Sequence, residues 1–243
     1  MSSYSEAWFR AKRSGVEDSS RVLVPRIMDL IAPESVVDVG CGTGGWLATF
    51  SDHGVARICG VDGDWVPRDQ LVIPPDCFIA ADLRDPIELD QKFDLALSLE
   101  VGEHLPHQSS ERFVLYLTQL APVVVFSAAI PGQPGHDHIN TQWPEYWIER
   151  FDALAYVPVD AIRPWAWAKD SVKYFYRQNM LVFVDTARIT EYPKLAAIAA
   201  SSEGPVRAIV HSRLYEVYLE RDFRRRIKSA IHRLTSLRGR PSK

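Results

Sequence analysis

Cysteine is scarce in this 243-residue chain: Cys41, Cys59 and Cys77 are odd in number and form no CxxC pair. That count argues against a disulfide framework and a cysteine zinc site, and it suits a reducing compartment. Long apolar runs are missing too. No stretch of about 18 apolar residues occurs, so no spanning helix is expected. The opening "MSSYSEAWFRAKRSG" lacks the apolar core of a secretion signal, and a cytoplasmic location is expected. Repeats and low-complexity linkers are also absent. What is there, 47% hydrophobic and 24% charged residues, is enough for one large α/β domain or two small ones.

The formal net charge of −3 conceals an asymmetry. Residues 221–243 hold nine Lys/Arg and one Asp, whereas the other 220 residues hold 19 Lys/Arg and 30 Asp/Glu. An acidic body repels phosphates, so nucleic acid is not an expected partner. In 210–237, Leu214, Val217, Tyr218, Phe223, Ile227, Ile231 and Leu234 recur at helical spacing, with arginines over much of the other face. Such a basic amphipathic helix suits peripheral contact with an anionic membrane, or packing on its own domain or a partner subunit.

Short apolar runs alternate with helical patterns. "SVVDVG" (35–40), "RICGVD" (57–62), "CFIAAD" (77–82), "FDLALSLE" (93–100) and "PVVVFSAAI" (122–130) read as five strands. "GWLATFSDHG" and "ERFVLYLTQL" read as helices between them. This alternation predicts a parallel sheet covered on both faces. "AYVPVDAI" (155–162) and "NMLVFVDT" (179–186) lack a long helix between them, so an antiparallel hairpin edge is expected. The aromatic-rich "RPWAWAKDSVKYFY" (163–176) would be a loop suited to covering a pocket or packing under the sheet edge.

The most informative segment is "VVDVGCGTGG". Gly40, Gly42 and Gly44 follow a strand and lead into a helix, a turn that brings backbone close to a ligand. Read as Gly40-x-Gly42-x-x-Gly45 with Asp62 beyond, it also fits a dinucleotide fingerprint. Four further features separate the ligands. Asp38, inside the strand, would face a cationic amino acid or anchor the loop; a pyrophosphate gains nothing from it. Asp62 is placed for a ribose diol, and Asp82-Leu83 for an adenine edge. "SLEVGEHLP" would floor the reacting group.

With these motifs in this order, the chain resembles the class I S-adenosylmethionine (SAM)-dependent methyltransferases over roughly residues 35–186. "DVGCGTG" corresponds to that family's SAM loop, "GVDGD" to its ribose-binding strand end and "ADL" to its adenine segment. The resemblance implies an α/β, Rossmann-like sheet of seven strands in the order 3-2-1-4-5-7-6, strand 7 antiparallel, with helices on both faces. It implies a helical cap (1–34, with Tyr4 and Trp8 as lid residues), a SAM domain (35–190) and a C-terminal extension with the basic tail (191–243). It implies SAM contacts at Asp38, Gly40, Cys41, Gly42, Gly44, Asp62, Gly63, Asp82, Leu83 and Glu100. "SLEVGEHLP", "FSAAIPGQ", "HINTQWPEYW" and "YRQNMLVFV" further resemble a bacterial subgroup associated with sugar, polysaccharide or natural-product biosynthesis. Arg177 stands where that subgroup has a small residue.

Methyl transfer to a hydroxyl needs the acceptor held close and a base for its proton. Histidine suits that task near neutral pH. His138, after the fifth strand, is the expected base, and His104, after the fourth, approaches from the other side. Glu103, Asn140, Gln142, Trp143, Gln178 and Asn179 are expected to meet the acceptor, a small molecule or glycan. Asn140 or Thr141 is also a candidate N-cap for the helix beginning at Pro144. Trp143, Tyr146 and Trp147 are candidate core residues. Glu103, His104, His136, Asp137 and His138 offer a ligand set for a divalent ion, but magnesium prefers oxygen, and no metal is expected. An NAD(P)-dependent oxidoreductase and a non-catalytic SAM- or nucleotide-binding accessory protein are the alternative readings.

Overall fold

A computed structural model describes residues 6–85, 89–223 and 227. The chain divides into two compact units, Met1–Ile209 and Val210–Lys243. The first holds a seven-stranded sheet in the order β3-β2-β1-β4-β5-β7-β6. Its strands are β1 (Ser35–Val39), β2 (Arg57–Asp62), β3 (Phe78–Ala80), β4 (Leu95–Leu99), β5 (Val123–Ser127), β6 (Tyr156–Val159) and β7 (Leu181–Asp185). The first five run parallel, and β7 pairs antiparallel with both β5 and β6. The sheet read from the sequence is the sheet that forms.

Alternation along the strands builds two cores. Val123 and Val125 of β5 join one cluster, and Val124 and Phe126 the other. The first lies under α1 (Glu6–Ile31) and α2 (Gly45–Asp52), where Leu23, Val24, Ile27, Leu47 and Phe50 are fully buried. The second packs α3 (Ser110–Leu120) and α4 (Pro144–Asp152) through Phe113, Leu117, Trp147 and Phe151. α7 (Pro193–Ser201) adds Leu195 to the first cluster, so segments set apart in the sequence at 1–34 and from 191 both contribute to this core. Tyr4 lies outside the described residues, as does the side chain of Trp8.

Two local expectations are corrected. The stretch 163–176 is no open loop: it supplies α5 (Arg163–Ala166) and the start of α6 (Tyr174–Asn179). Arg163 is buried there, paired with Asp160 at 2.8 Å and donating to the Arg207 carbonyl at 3.1 Å. Neither Asn140 nor Thr141 caps α4, whose N-cap is Trp143 with no side-chain bond. Pro144 and Glu145 do occupy its first turn.

The second unit is helical over 212–223. The basic tail beyond it, apart from residue 227, lies outside the described residues. No helix among the described residues is long and apolar enough to cross a membrane.

Phe151 tests the second core. Its ring is fully buried and stacked on Phe183, centroids 3.8 Å apart. Phe151→Ala should cost about 3–5 kcal/mol, the usual range for deleting a buried aromatic ring. Urea unfolding would show it as a lower midpoint; a loss below about 1 kcal/mol would mean the site collapses without penalty.

Candidate functional site

Parallel strands deliver their carboxyl ends to one edge, and the predicted residues gather there. β1 is followed at once by Gly40, whose amide donates to the Val61 carbonyl at 2.7 Å. Gly40 (φ 91°) and Gly44 (φ 87°) take left-handed conformations that side chains resist. A Cβ on Gly40 would lie 2.3 Å from Val101, and one on Gly44 2.8 Å from Ile73. The loop is both twisted and tightly seated.

Asp38 lies beneath it, 2% exposed, with Oδ2 buried and without a hydrogen-bond partner. Burial pushes its carboxyl up to about 8, with the Asp62 charge adding to the rise. Asp62 accepts hydrogen bonds from Gly42 N at 2.7 Å and Gly63 N at 2.6 Å. Burial raises its pKa as well, and those two amides oppose the rise. Each Asp62 oxygen keeps a further lone pair for a ligand hydroxyl. Cys41 is buried, and its thiol contacts the Gly42 carbonyl at 3.5 Å. The group that SAM would bring to Asp38 is an ammonium, so a buried carboxyl with an unpartnered Oδ2 under a glycine loop fits it, the cation favouring the ionised form.

Asp82 stands two residues beyond β3, on the surface side of this edge. Arg84 holds it through backbone and guanidinium contacts and keeps its carboxyl below the usual range. Leu83 is partly buried against the second core. Trp65, which the sequence reading passed over, covers Gly63 so closely that a Cβ there would lie 2.2 Å from its ring.

Glu100 follows β4 in a left-handed conformation, φ 58°. Its carboxylate accepts from Gln133 Nε2 at 2.6 Å and Asn179 Nδ2 at 3.1 Å. Asn179 Nδ2 and Gln178 Nε2 both donate to Gln133 Oε1, at 2.9 and 3.3 Å. Gln178 and Asn179 reach this edge because β7 is antiparallel: Leu181 pairs with Phe126 near the carboxyl end of β5. Gln133 was missed as well; a lone amide in the Gly/Pro turn of "IPGQPG" was its only signal. Arg177 turns away, bonding the Trp167 carbonyl at 3.1 Å and Asp170 at 3.0 Å.

Opposite this network, the turn Gly102–His104 and the stretch 136–142 lock together. The Ile139 and Asn140 amides donate to the Glu103 carbonyl at 2.9 and 3.0 Å. Asn140 Nδ2 donates to Ser110 Oγ at 3.1 Å, and Gln142 Nε2 donates to Asn140 Oδ1 at 3.0 Å. Trp147 is buried, whereas Trp143 is 44% exposed at the rim. His138 Nε2 lies 3.8 Å from Glu103 Oε1, and the His104 and His138 ring centroids are 5.1 Å apart. Burial, and then the Glu100 charge, hold the Glu103 carboxyl well above its usual range. Of the five potential metal ligands, Glu103, His104 and His138 converge. His136 pairs instead with Asp137, 3.5 Å away on the surface.

A family model described as a methyltransferase domain matches residues 14–169. No curated protein matches the chain. Among solved structures, SAM-bound CalS10, an amino pentose methyltransferase of Micromonospora echinaspora involved in calicheamicin biosynthesis, is 16% identical with a TM-score of 0.54. The match covers 76% of this chain and 99% of that one. The sugar N-methyltransferase KedS8 of Streptoalloteichus sp. is 18% identical, TM-score 0.53, covering 76% and 96%. The methyltransferase domain of bacterial CtHen1 is 17% identical, TM-score 0.51, covering 70% and 99%. At such identities the likeness is one of fold.

Asp38 generates a pH prediction. An unfolded aspartate titrates near about 3.9. Between there and about 8, the folded state keeps a proton that the unfolded chain has lost, so rising pH favours unfolding. The ligand-free protein should lose stability across that window through this group, and Asp38→Asn should remove that part of the slope. Thermal melts at pH 5 and pH 8 check it. The variant's advantage should grow with pH; a constant gap would mean that Asp38 ionises without cost.

Proposed function

The chain belongs to the methyltransferase-domain family, and from that premise we propose that it methylates a hydroxyl of a sugar, glycan or natural product, with SAM as donor. The observation that carries the reading is the buried Asp38 carboxylate, its Oδ2 orphaned beneath a glycine loop. SAM supplies an electrophilic methyl group on a sulfonium. Asp38 pairs with the donor's ammonium, a cation that a nicotinamide dinucleotide does not bring. Asp62 takes the ribose diol with its remaining lone pairs, and Asp82-Leu83 meets the adenine edge. Glu100, fixed by Gln133 and Asn179, borders the donor on the acceptor side.

The acceptor lies beside Trp143 and Gln142, which the buried Asn140 holds, and faces the Glu100–Gln133 pair that the buried Gln178 and Asn179 hold. A neutral amine can attack with its own lone pair, whereas a hydroxyl must lose a proton to become a competent nucleophile. The Glu103–His104–His138 cluster answers that need and supports O-methylation. As the acceptor oxygen bonds the methyl carbon, the C–S bond breaks and the sulfur keeps the electron pair. The hydroxyl proton passes to the cluster, where, without a metal ion, His138 is placed to take it and Glu103 to stabilise its charge. The sugar substrates named for CalS10 and KedS8 support a sugar-like acceptor.

Calorimetry tests the donor. SAM or S-adenosylhomocysteine should bind in the micromolar range, roughly −8 kcal/mol. Asp62→Ala should weaken binding by about 1.5–3 kcal/mol, the worth of a hydrogen bond to a charged group. Binding of NADH with none of SAM would overturn the reading.

Single-turnover methylation tests the acceptor side, using a sugar acceptor found by mass-spectrometric screening. His138→Ala should lower the rate by about 10²–10⁴, with SAM affinity nearly unchanged. Full activity in that variant would remove His138 from the reaction.

A further inference from the structure

Proton transfer alone needs one imidazole and one orienting group, and this cluster has more. The ligand atoms of Glu103, His104 and His138 all lie within 4.8 Å of one another. Glu103 is fully buried, and its carboxylate oxygens have only loose contacts, from its own amide and that of Ala129, with no well-formed hydrogen bond. A buried carboxylate held so weakly is costly unless a cation pairs with it. His104 Nδ1 lies 3.2 Å from the Asp137 carbonyl. A carbonyl only accepts, so Nδ1 carries the hydrogen and, in the neutral ring, Nε2 carries the lone pair. That arrangement fixes the tautomer in metal-ligating histidines. The His138 ring sits against Gly135, where an added Cβ would fall 1.8 Å from Nε2. Glycine at 135 is thus what lets that nitrogen approach Glu103.

We infer that Glu103, His104 and His138 form a binding site for a divalent transition-metal ion on the acceptor side of the cleft. Two imidazoles and one carboxylate suit zinc, manganese or iron(II) better than magnesium, which prefers oxygen. Three protein ligands leave a coordination position open, the pattern of catalytic rather than structural sites. Tetrahedral zinc would draw the ligand atoms to roughly 3.3 Å from one another, given bonds of about 2.0–2.1 Å. Side-chain rotation from the present 4.8 Å spread can supply that contraction. His136 and Asp137, paired with each other on the surface, stay outside the set.

The ion's role, though not its binding, rests on the proposed methyl transfer. A cation beside the acceptor hydroxyl polarises its oxygen and lowers its pKa. With both imidazoles engaged, the proton leaves to solvent and His138 serves as ligand. This proposal departs from the sequence expectation of a metal-free site.

The test uses the full chain, stripped with EDTA and titrated with zinc chloride by calorimetry. Metal retained after gel filtration is then counted by elemental analysis. One equivalent should bind, with affinity falling at least tenfold in Glu103→Gln, His104→Ala and His138→Ala. Gly135→Ala should weaken binding too, because it displaces His138 while keeping every ligand. His107→Ala and His136→Ala should keep both stoichiometry and affinity. X-ray absorption on the zinc-loaded wild type, which needs no variant to fold, should show nitrogen and oxygen neighbours only. No retained zinc, zinc lost in His136→Ala but not in Glu103→Gln, or a sulfur neighbour from cysteine would each overturn the inference. SAM calorimetry on the stripped protein separates the two readings. Failure there removes the methyltransferase assignment and leaves the metal count standing; failure of the metal count leaves SAM binding standing.

Discussion

The carbonyl oxygen of Glu103 accepts two backbone hydrogen bonds, from Ile139 at 2.9 Å and Asn140 at 3.0 Å. Those bonds join the turn after β4 to the long connection after β5, segments more than thirty residues apart in sequence. Loop closure of that length carries an entropic cost, and buried backbone groups must find partners in any case. Satisfying the peptide groups here therefore also sets the side chains. Asn140 turns inward to Ser110, Gln142 follows Asn140, and His138 is left facing Glu103. The arrangement of the Gly102–His104 turn against 136–142 is a consequence of that one carbonyl.

Electrostatic cost is concentrated at the same edge. Asp38, Asp62 and Glu103 are all held above their ordinary pKa, and in each case burial is the leading cause. A domain with a net stability of about 5–15 kcal/mol does not bury three acids for packing reasons. Hydrophobic residues of similar volume would serve a core better. The cost is intelligible if cations arrive: an ammonium over Asp38, and a metal ion or protonated imidazole beside Glu103. Asp62 differs, because two backbone amides already meet it and tie it to the glycine loop. Buried, pKa-shifted acids of this kind mark a candidate site for cationic ligands.

What the sequence disclosed follows from the range of each interaction. The strands and the glycine loop are local patterns, written within ten residues; their order implied a parallel sheet, and the family resemblance its strand order. The antiparallel β7 was legible because no long helix separates 162 from 179. The Glu100–Gln133–Gln178–Asn179 network was only half visible, since its bonds span up to 79 positions and Gln133 carries no local pattern. The capping expectation failed for a related reason. Asn140 has the chemistry of an N-cap, but Ser110 and the Gly102 carbonyl offer its amide a buried partnership that a helix end does not. Trp143 and Trp147 looked alike in sequence; α4 buries one and leaves the other at the rim.

The two groups of buried acids and histidines thus occupy different strands of one edge. The ends of β1 and β2 carry Asp38 and Asp62, while the segments after β4 and β5 carry Glu103, His104 and His138. Glu100 stands between them, strained at φ 58° and clamped from both sides by amides that β7 and the β5 connection bring in. A left-handed non-glycine residue costs of order 1–3 kcal/mol and persists only when its surroundings over-determine it. Relaxing Glu100 would swing the start of "EVGEH", and with it the Gly102–His104 turn that carries two of the three convergent side chains. The strain therefore has a structural use. It fixes the direction in which the chain leaves β4, and so the distance between whatever Asp38 holds and whatever Glu103 and the histidines hold.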